Sequence, residues 1–184
     1  MIDSLIKTSK NKEIVIAGAG LVGSIMAVAL ASEGFGVTVV DGATEKDRIK
    51  QNKGRTYALS RTSKNLLANL GLWDAKKLKV SPIENIVLST KSGSDDNIKH
   101  LAAFNKESSE VEPSSYMIED FYLRTVLGSK LNTNTKIQLM NSTEVIQDET
   151  TSYETKLMLS DKSSFATEIL IISDGRESLS LIHI

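Results

Sequence analysis

A single unit near the start of this chain limits its fold more than any other feature. Glu13-Ile-Val-Ile-Ala17 is an apolar run, Gly18-Ala-Gly20-Leu-Val-Gly23 follows without a gap, and Val37-Thr-Val-Val40 leads into Asp41. Between them Leu21, Val22, Ile25, Met26, Ala29 and Leu30 recur at helical spacing, and Gly34 or Gly36 ends the helix. The pattern is strand, turn, helix, strand, acid. Gly18 allows the tight turn, Gly20 lets a diphosphate approach the backbone, and Gly23 lets the helix pack closely on the strands. A diphosphate would then sit at a helix N-terminus, where N–H groups and the helix dipole favour negative charge. Asp41 stands where an acid grips a ribose hydroxyl, which disfavours a 2′-phosphate. Spacing leaves FAD and a nicotinamide dinucleotide equally open, because both use the same backbone cradle.

Composition narrows the function classes. Twenty-two Lys and Arg against 23 Asp and Glu give a formal net charge of −1, which provides no electrostatic footprint for nucleic acid. The cluster Lys76, Lys77 and Lys79 reads as a solvated helix end. Zero cysteines remove disulfides and thiol chemistry and fit a reducing cytosol. No apolar run reaches the roughly 18 residues needed to span a membrane, and residues 1–12 are too polar for a signal peptide. His100 and His183 are too few for a histidine metal site. The C-terminal Leu179-Ser-Leu-Ile-His-Ile184 matches the translation of a sequencing-library transposon adapter. It is expected to be foreign to the gene, the alternative being a natural apolar terminal strand.

Further along, Leu66, Leu67 and Leu70 predict a helix capped by Ser63 or Thr62 and stopped by Gly71. Residues 83–90 and 98–104 read as paired strands, and 119–131 as a second core helix. Four short strands follow at 136–140, 143–147, 153–160 and 168–173. The last, Ile169-Leu-Ile-Ile172, lacks alternation, as a strand covered on both faces would. Asp174-Gly175 ends it at the carboxyl end, where doubly wound sheets bind ligands, so Asp174 is placed like a site residue.

Three motifs stand in order: Gly18-x-Gly20-x-x-Gly23, Arg55-x-x-Ala58-Leu59-Ser60 and Ser173-Asp174-Gly175-x-x-Ser178. Together they resemble the ubiquinone-biosynthesis hydroxylases, a branch of the FAD-dependent aromatic monooxygenases with the 4-hydroxybenzoate hydroxylase fold. Arg55, with Leu70-Gly-Leu-Trp73 behind it, points to the ubiquinone branch. The resemblance covers residues 11–178, roughly the first half of a family member.

It implies an α/β fold: a Rossmann-like FAD-binding βαβ domain of glutathione-reductase type, carrying part of an inserted β-rich substrate domain. A tail at 1–10, FAD-binding parts at 11–80 and 117–178, substrate-domain strands at 81–116 and adapter at 179–184 are expected. Gly18, Gly20 and Gly23 would cradle the FAD pyrophosphate, and Asp41 would hold the ribose, where the family more often has Glu. Arg55 would face phosphate or reduced flavin. Asp120, in Ile118-Glu-Asp120 where relatives have Val-Glu-Asn, would approach the flavin. Asp174 and Gly175 would face the pyrophosphate and the transient nicotinamide cofactor. The activity implied is hydroxylation of a polyprenylated phenol using NAD(P)H and oxygen, with no side chain assigned as catalytic and the truncated chain itself inactive. Accessory proteins of ubiquinone biosynthesis and peripheral contact with the inner membrane from the cytoplasm are the implied partners. Other FAD-linked oxidoreductases and a non-catalytic nucleotide-binding module are the alternative readings.

Overall fold

The computed structural model describes residues 12–51, 54–91, 98–105 and 112–175. The expected tail and adapter lie outside them. The chain folds as two compact units, residues up to 53 together with those from 124 onward, and residues 54–123. The expected domain limits at 80/81 and 116/117 fall inside the second unit.

The first unit is built on β1 (Lys12–Ala17), α1 (Leu21–Ser32), β2 (Val37–Asp41) and α2 (Glu45–Gln51). Its sheet has six strands, in the order β8 (Ile137–Asn141), β2, β1, β11 (Ser164–Ile172), β10 (Thr155–Leu159), β9 (Val145–Thr150). β8, β2, β1 and β11 run parallel, while β10 and β9 are antiparallel additions. Ile14 to Ala17 register with Ile169 to Ile172, so the carboxyl ends of β1 and β11 finish side by side. Val15, Val40, Leu157, Leu159 and Phe165 form the core on one face.

α1 packs through Gly23, Ser24, Ala27, Val28 and Ala31, not through its large apolar residues. Val22 is 69% exposed and Met26 is also exposed. The small-residue face wins because Gly23 sits against the Gly18 carbonyl and leaves no depth there for a larger side chain. Gly34, at φ +104°, follows the helix as its left-handed stop. The final strand likewise departs from expectation. β11 begins at Ser164, ahead of the expected start at 168, and Ile169 and Ile172 are about half exposed.

The second unit contains β3 (Thr56–Ser60), α3 (Arg61–Asn69), α4 (Ala75–Leu78), β4 (Ser81–Ile83), β5 (Asn85–Lys91), β6 (Ile98–Asn105) and β7 (Ser115–Glu119). β7 lies between β3 and β4 and is antiparallel to both, which binds residues 56–60 to the unit that includes the β5–β6 hairpin. Ser60, not Thr62 or Ser63, caps α3: its hydroxyl accepts from the Ser63 N–H. Asp74 caps α4 by accepting from Lys76 and Lys77 N–H, and these bonds, that from Lys77 foremost, hold its carboxyl below the usual range. The helix expected at 119–131 is α5 (Asp120–Thr133), which starts in the second unit and continues into the first.

Candidate functional site

The site is built where β1 and β11 end. Gly18 adopts φ +103°, and a Cβ there would stand 2.5 Å from the Ser173 carbonyl oxygen, so only glycine fits the turn. A Cβ on Gly23 would run into the Gly18 carbonyl and Ser173 Oγ. Gly20 differs from both. Its φ is −63°, which any residue adopts, and its Cβ would meet nothing nearer than the Ser173 carbonyl oxygen at 4.0 Å. Among the described residues nothing crowds a side chain at position 20, and the space beside it is open.

That space is a crevice of about 220 Å³ lined by Gly18, Gly20, Asp41, Arg48, Arg124, Asp174 and neighbouring residues. Gly20 is the N-cap of α1 and offers no side-chain acceptor, and the first turn carries no acid. The helix N-terminus therefore faces the crevice with uncapped N–H groups, a ready anion site. Ser173 ties the two strand ends together. Its N–H donates to the Ala17 carbonyl at 2.7 Å, and its hydroxyl lies 3.0 and 2.9 Å from the Ala17 and Gly18 carbonyl oxygens.

Asp41 does more than end β2. Its Oδ2 accepts from the Ala19 N–H at 2.6 Å, and its Oδ1 accepts from the Ala43 N–H at 2.8 Å and from Arg48 at 2.9 Å. The acid that ends β2 thus also clamps the glycine turn. Asp174 is exposed at the crevice beside Gly175, as its place at the carboxyl end of β11 requires. Arg48, Arg124 and Ser173 also line the crevice, and sequence reasoning did not name them as candidates. Ser173 stood inside a quoted motif, whereas neither arginine has a spacing signal that separates it from an ordinary helix-surface cation.

Arg55 and Asp120 belong to the second unit. Arg55 is exposed, and its carbonyl accepts the Asp120 N–H at 2.9 Å. Asp120 is fully buried, and its Oδ1 accepts from the Tyr57 hydroxyl at 2.7 Å. A buried carboxylate keeps such donors because leaving it unpaired is expensive.

Known proteins resemble this chain at several levels. The family model described as ketopantoate reductase PanE/ApbA matches residues 14–112, and that match places this stretch within the family. A ubiquinone hydroxylase, UbiL of Rhodospirillum rubrum, is 27% identical over 170 residues, 92% of this chain and 38% of its own length. The 3-demethoxyubiquinol 3-hydroxylase of Escherichia coli K12 is 30% identical over 135 residues, 72% of this chain and 33% of its own length.

The chain belongs to the ubiquinone-biosynthesis hydroxylase family.

The PanE/ApbA match begins with the β1–α1–β2 unit and ends at residue 112. The UbiL alignment takes in most of the chain, so it carries the assignment as a whole. Among solved structures, the flavin-dependent monooxygenase PieE, crystallised with FAD and substrate, superposes with a TM-score of 0.69 at 18% identity. It covers 94% of this chain and 32% of its own, and it supports the α/β Rossmann-like fold expected from the sequence. This chain spans well under half the length of the curated relatives it matches.

Proposed function

We propose that this chain holds FAD at the carboxyl end of its parallel sheet and forms the nucleotide-binding part of a monooxygenase. Its substrate would be a polyprenylated phenol of ubiquinone biosynthesis, with NAD(P)H and oxygen as co-substrates. The observation that supports the reading is Gly20: among the described residues nothing lies closer than 4.0 Å to where its Cβ would stand, as a backbone approached by a diphosphate requires.

The residues present fit the group. The FAD pyrophosphate would lie over Gly20 against the α1 N-terminus, with the Arg124 guanidinium on the wall of the same crevice. Asp41 would accept a ribose hydroxyl. A carboxylate offers about four acceptor positions, and the protein donors on it are the Ala19 and Ala43 N–H groups and Arg48. Asp174 and Gly175 would border the diphosphate and the incoming nicotinamide, and Arg55 would bring a permanent cation to phosphate or reduced flavin. Once bound, FAD would supply the redox chemistry by which NAD(P)H and oxygen hydroxylate the phenol ring, the second oxygen atom leaving as water. The protein's part is to bind, orient and exclude water, so no side chain is assigned as catalytic.

The long apolar tail of such a substrate is the reason to propose work at a membrane surface, with accessory proteins delivering it. Among the described residues no helix is long and apolar enough to cross a membrane. A second reading, a nicotinamide-dependent reductase, draws on the PanE/ApbA match. Equilibrium titration separates the two. Quenching of FAD fluorescence at micromolar protein, with no competition from NADH or NADPH, supports the flavin reading. Tight binding of NADH or NADPH with FAD ignored would replace it by the reductase.

A further inference from the structure

The acid that ends β2 is held by an arginine that the nucleotide-binding pattern does not call for. We propose that Arg48 is a positioning residue for the nucleotide site, fixing the orientation of Asp41 and, through it, the shape of the glycine turn. The inference rests on the reading of the crevice as an FAD site and deepens it.

The contacts form a chain. Arg48 Nη1 donates to Asp41 Oδ1 at 2.9 Å and to the Ala43 carbonyl at 2.6 Å, while Nη2 donates to Asn141 Oδ1 at 2.8 Å. One guanidinium thus joins α2, the end of β2 and the end of β8. The other Asp41 oxygen accepts from the N–H of Ala19, the residue between Gly18 and Gly20. The ion pair is largely shielded, with side-chain exposures of 11% for Arg48 and 14% for Asp41. Thr44 anchors the helix that presents the arginine. Its carbonyl accepts the Arg48 N–H at 3.0 Å, and its hydroxyl donates to the Asp47 carboxylate at 2.6 Å, a bond that holds Asp47 below the usual carboxylate range.

Two consequences make this arrangement part of the site. A carboxylate tied through Oδ1 cannot swing about its last torsion, so Oδ2 stays on the Ala19 amide and the turn keeps the form that admits a diphosphate. The acid is also a charge beside a ligand that is itself an anion. A permanent guanidinium 2.9 Å away offsets that repulsion without removing the acceptor a ribose needs. Both residues line the crevice, so their effect is delivered where the ligand lies.

The test compares the whole chain as wild type, Arg48→Ala and Arg48→Lys, reading amide exchange at Ala19 and FAD affinity by fluorescence quenching. Exchange at Ala19 should quicken at least tenfold in Arg48→Ala while Val15 and Ile16 amides in β1 keep their rates, and the Kd for FAD should rise about tenfold. Lysine keeps the charge but cannot reach Asp41 and Asn141 together, so Arg48→Lys should recover part of the affinity and leave Ala19 exchange raised. Should Arg48→Ala fail to fold, Arg48→Lys carries the test through the same selective exchange. Wild-type exchange at Ala19 in both variants, or an equal rise at Ala19, Val15 and Ile16, would overturn the proposal. Selective exchange at Ala19 in a chain whose wild type ignores FAD would support the positioning role and sink the FAD reading.

Discussion

Gly20→Val separates folding from binding at one position. Valine adopts φ −63° without strain, and its Cβ would find the Ser173 carbonyl oxygen no nearer than 4.0 Å, so among the described residues no clash opposes that Cβ. The folding penalty reduces to replacing a tolerated N-cap glycine by a poor one, about 1 kcal/mol. For a chain of 184 residues that lowers Tm by about 2–4 °C. Binding suffers far more, because the added branches fill the space the diphosphate needs. A loss of at least a hundredfold in FAD affinity is expected, about 2.7 kcal/mol. Differential scanning calorimetry and flavin-fluorescence titration on the same preparation read both quantities. Wild-type FAD affinity in Gly20→Val would refute the assignment of that open space to the diphosphate, and a collapse in Tm of tens of degrees would show that position 20 is structural after all.

Other substitutions follow from the same geometry. Gly23→Ala drives a methyl into the Gly18 carbonyl and Ser173 Oγ, so thermal melting should show destabilisation of about 3 kcal/mol or more, and near-wild-type stability would contradict the close packing. Asp41→Ala should weaken FAD by about 1–3 kcal/mol, and an unchanged Kd would mean that the ribose is held elsewhere. Tyr57→Phe removes a donor from fully buried Asp120 and should cost about 1–3 kcal/mol of stability in urea unfolding, with no effect on FAD affinity. In a chain extended to the length of its relatives, Asp174→Ala should slow flavin reduction by the nicotinamide cofactor more than it weakens FAD, as read by stopped-flow absorbance. Reduction at the wild-type rate would leave Asp174 as a turn residue.

The parts of this molecule that local chemistry dictates are readable in its sequence. Gly18 and Gly23 each have a reason that depends on neighbours only a few residues away or on the paired strand end, whereas a Cβ on Gly20 would meet open space. Asp174 was placed by a general property of parallel sheets, and it does border the crevice. What escaped depends on contacts remote in sequence. Asn141 meets Arg48 across 93 positions, and Tyr57 meets Asp120 across 63, so no periodicity could mark Arg48 as a site residue or Asp120 as a buried one. The packed face of α1 was obscured for a different reason. A pattern of large apolar residues suggests a stripe, but close approach at Gly23 selects the small ones, and Val22 is left in solvent. The cap of α3 was displaced to Ser60 because β3 runs straight into the helix with no intervening loop.

The central claim is that the crevice above Gly20 receives the FAD diphosphate, and amide chemical shifts test it most directly. FAD titrated into isotopically labelled chain should move the Ala19, Gly20, Leu21 and Asp174 amide resonances together, with a shared saturation curve and little change in the β5–β6 hairpin. Saturable shifts confined to residues away from the carboxyl ends of β1 and β11, with those four unmoved, would contradict it.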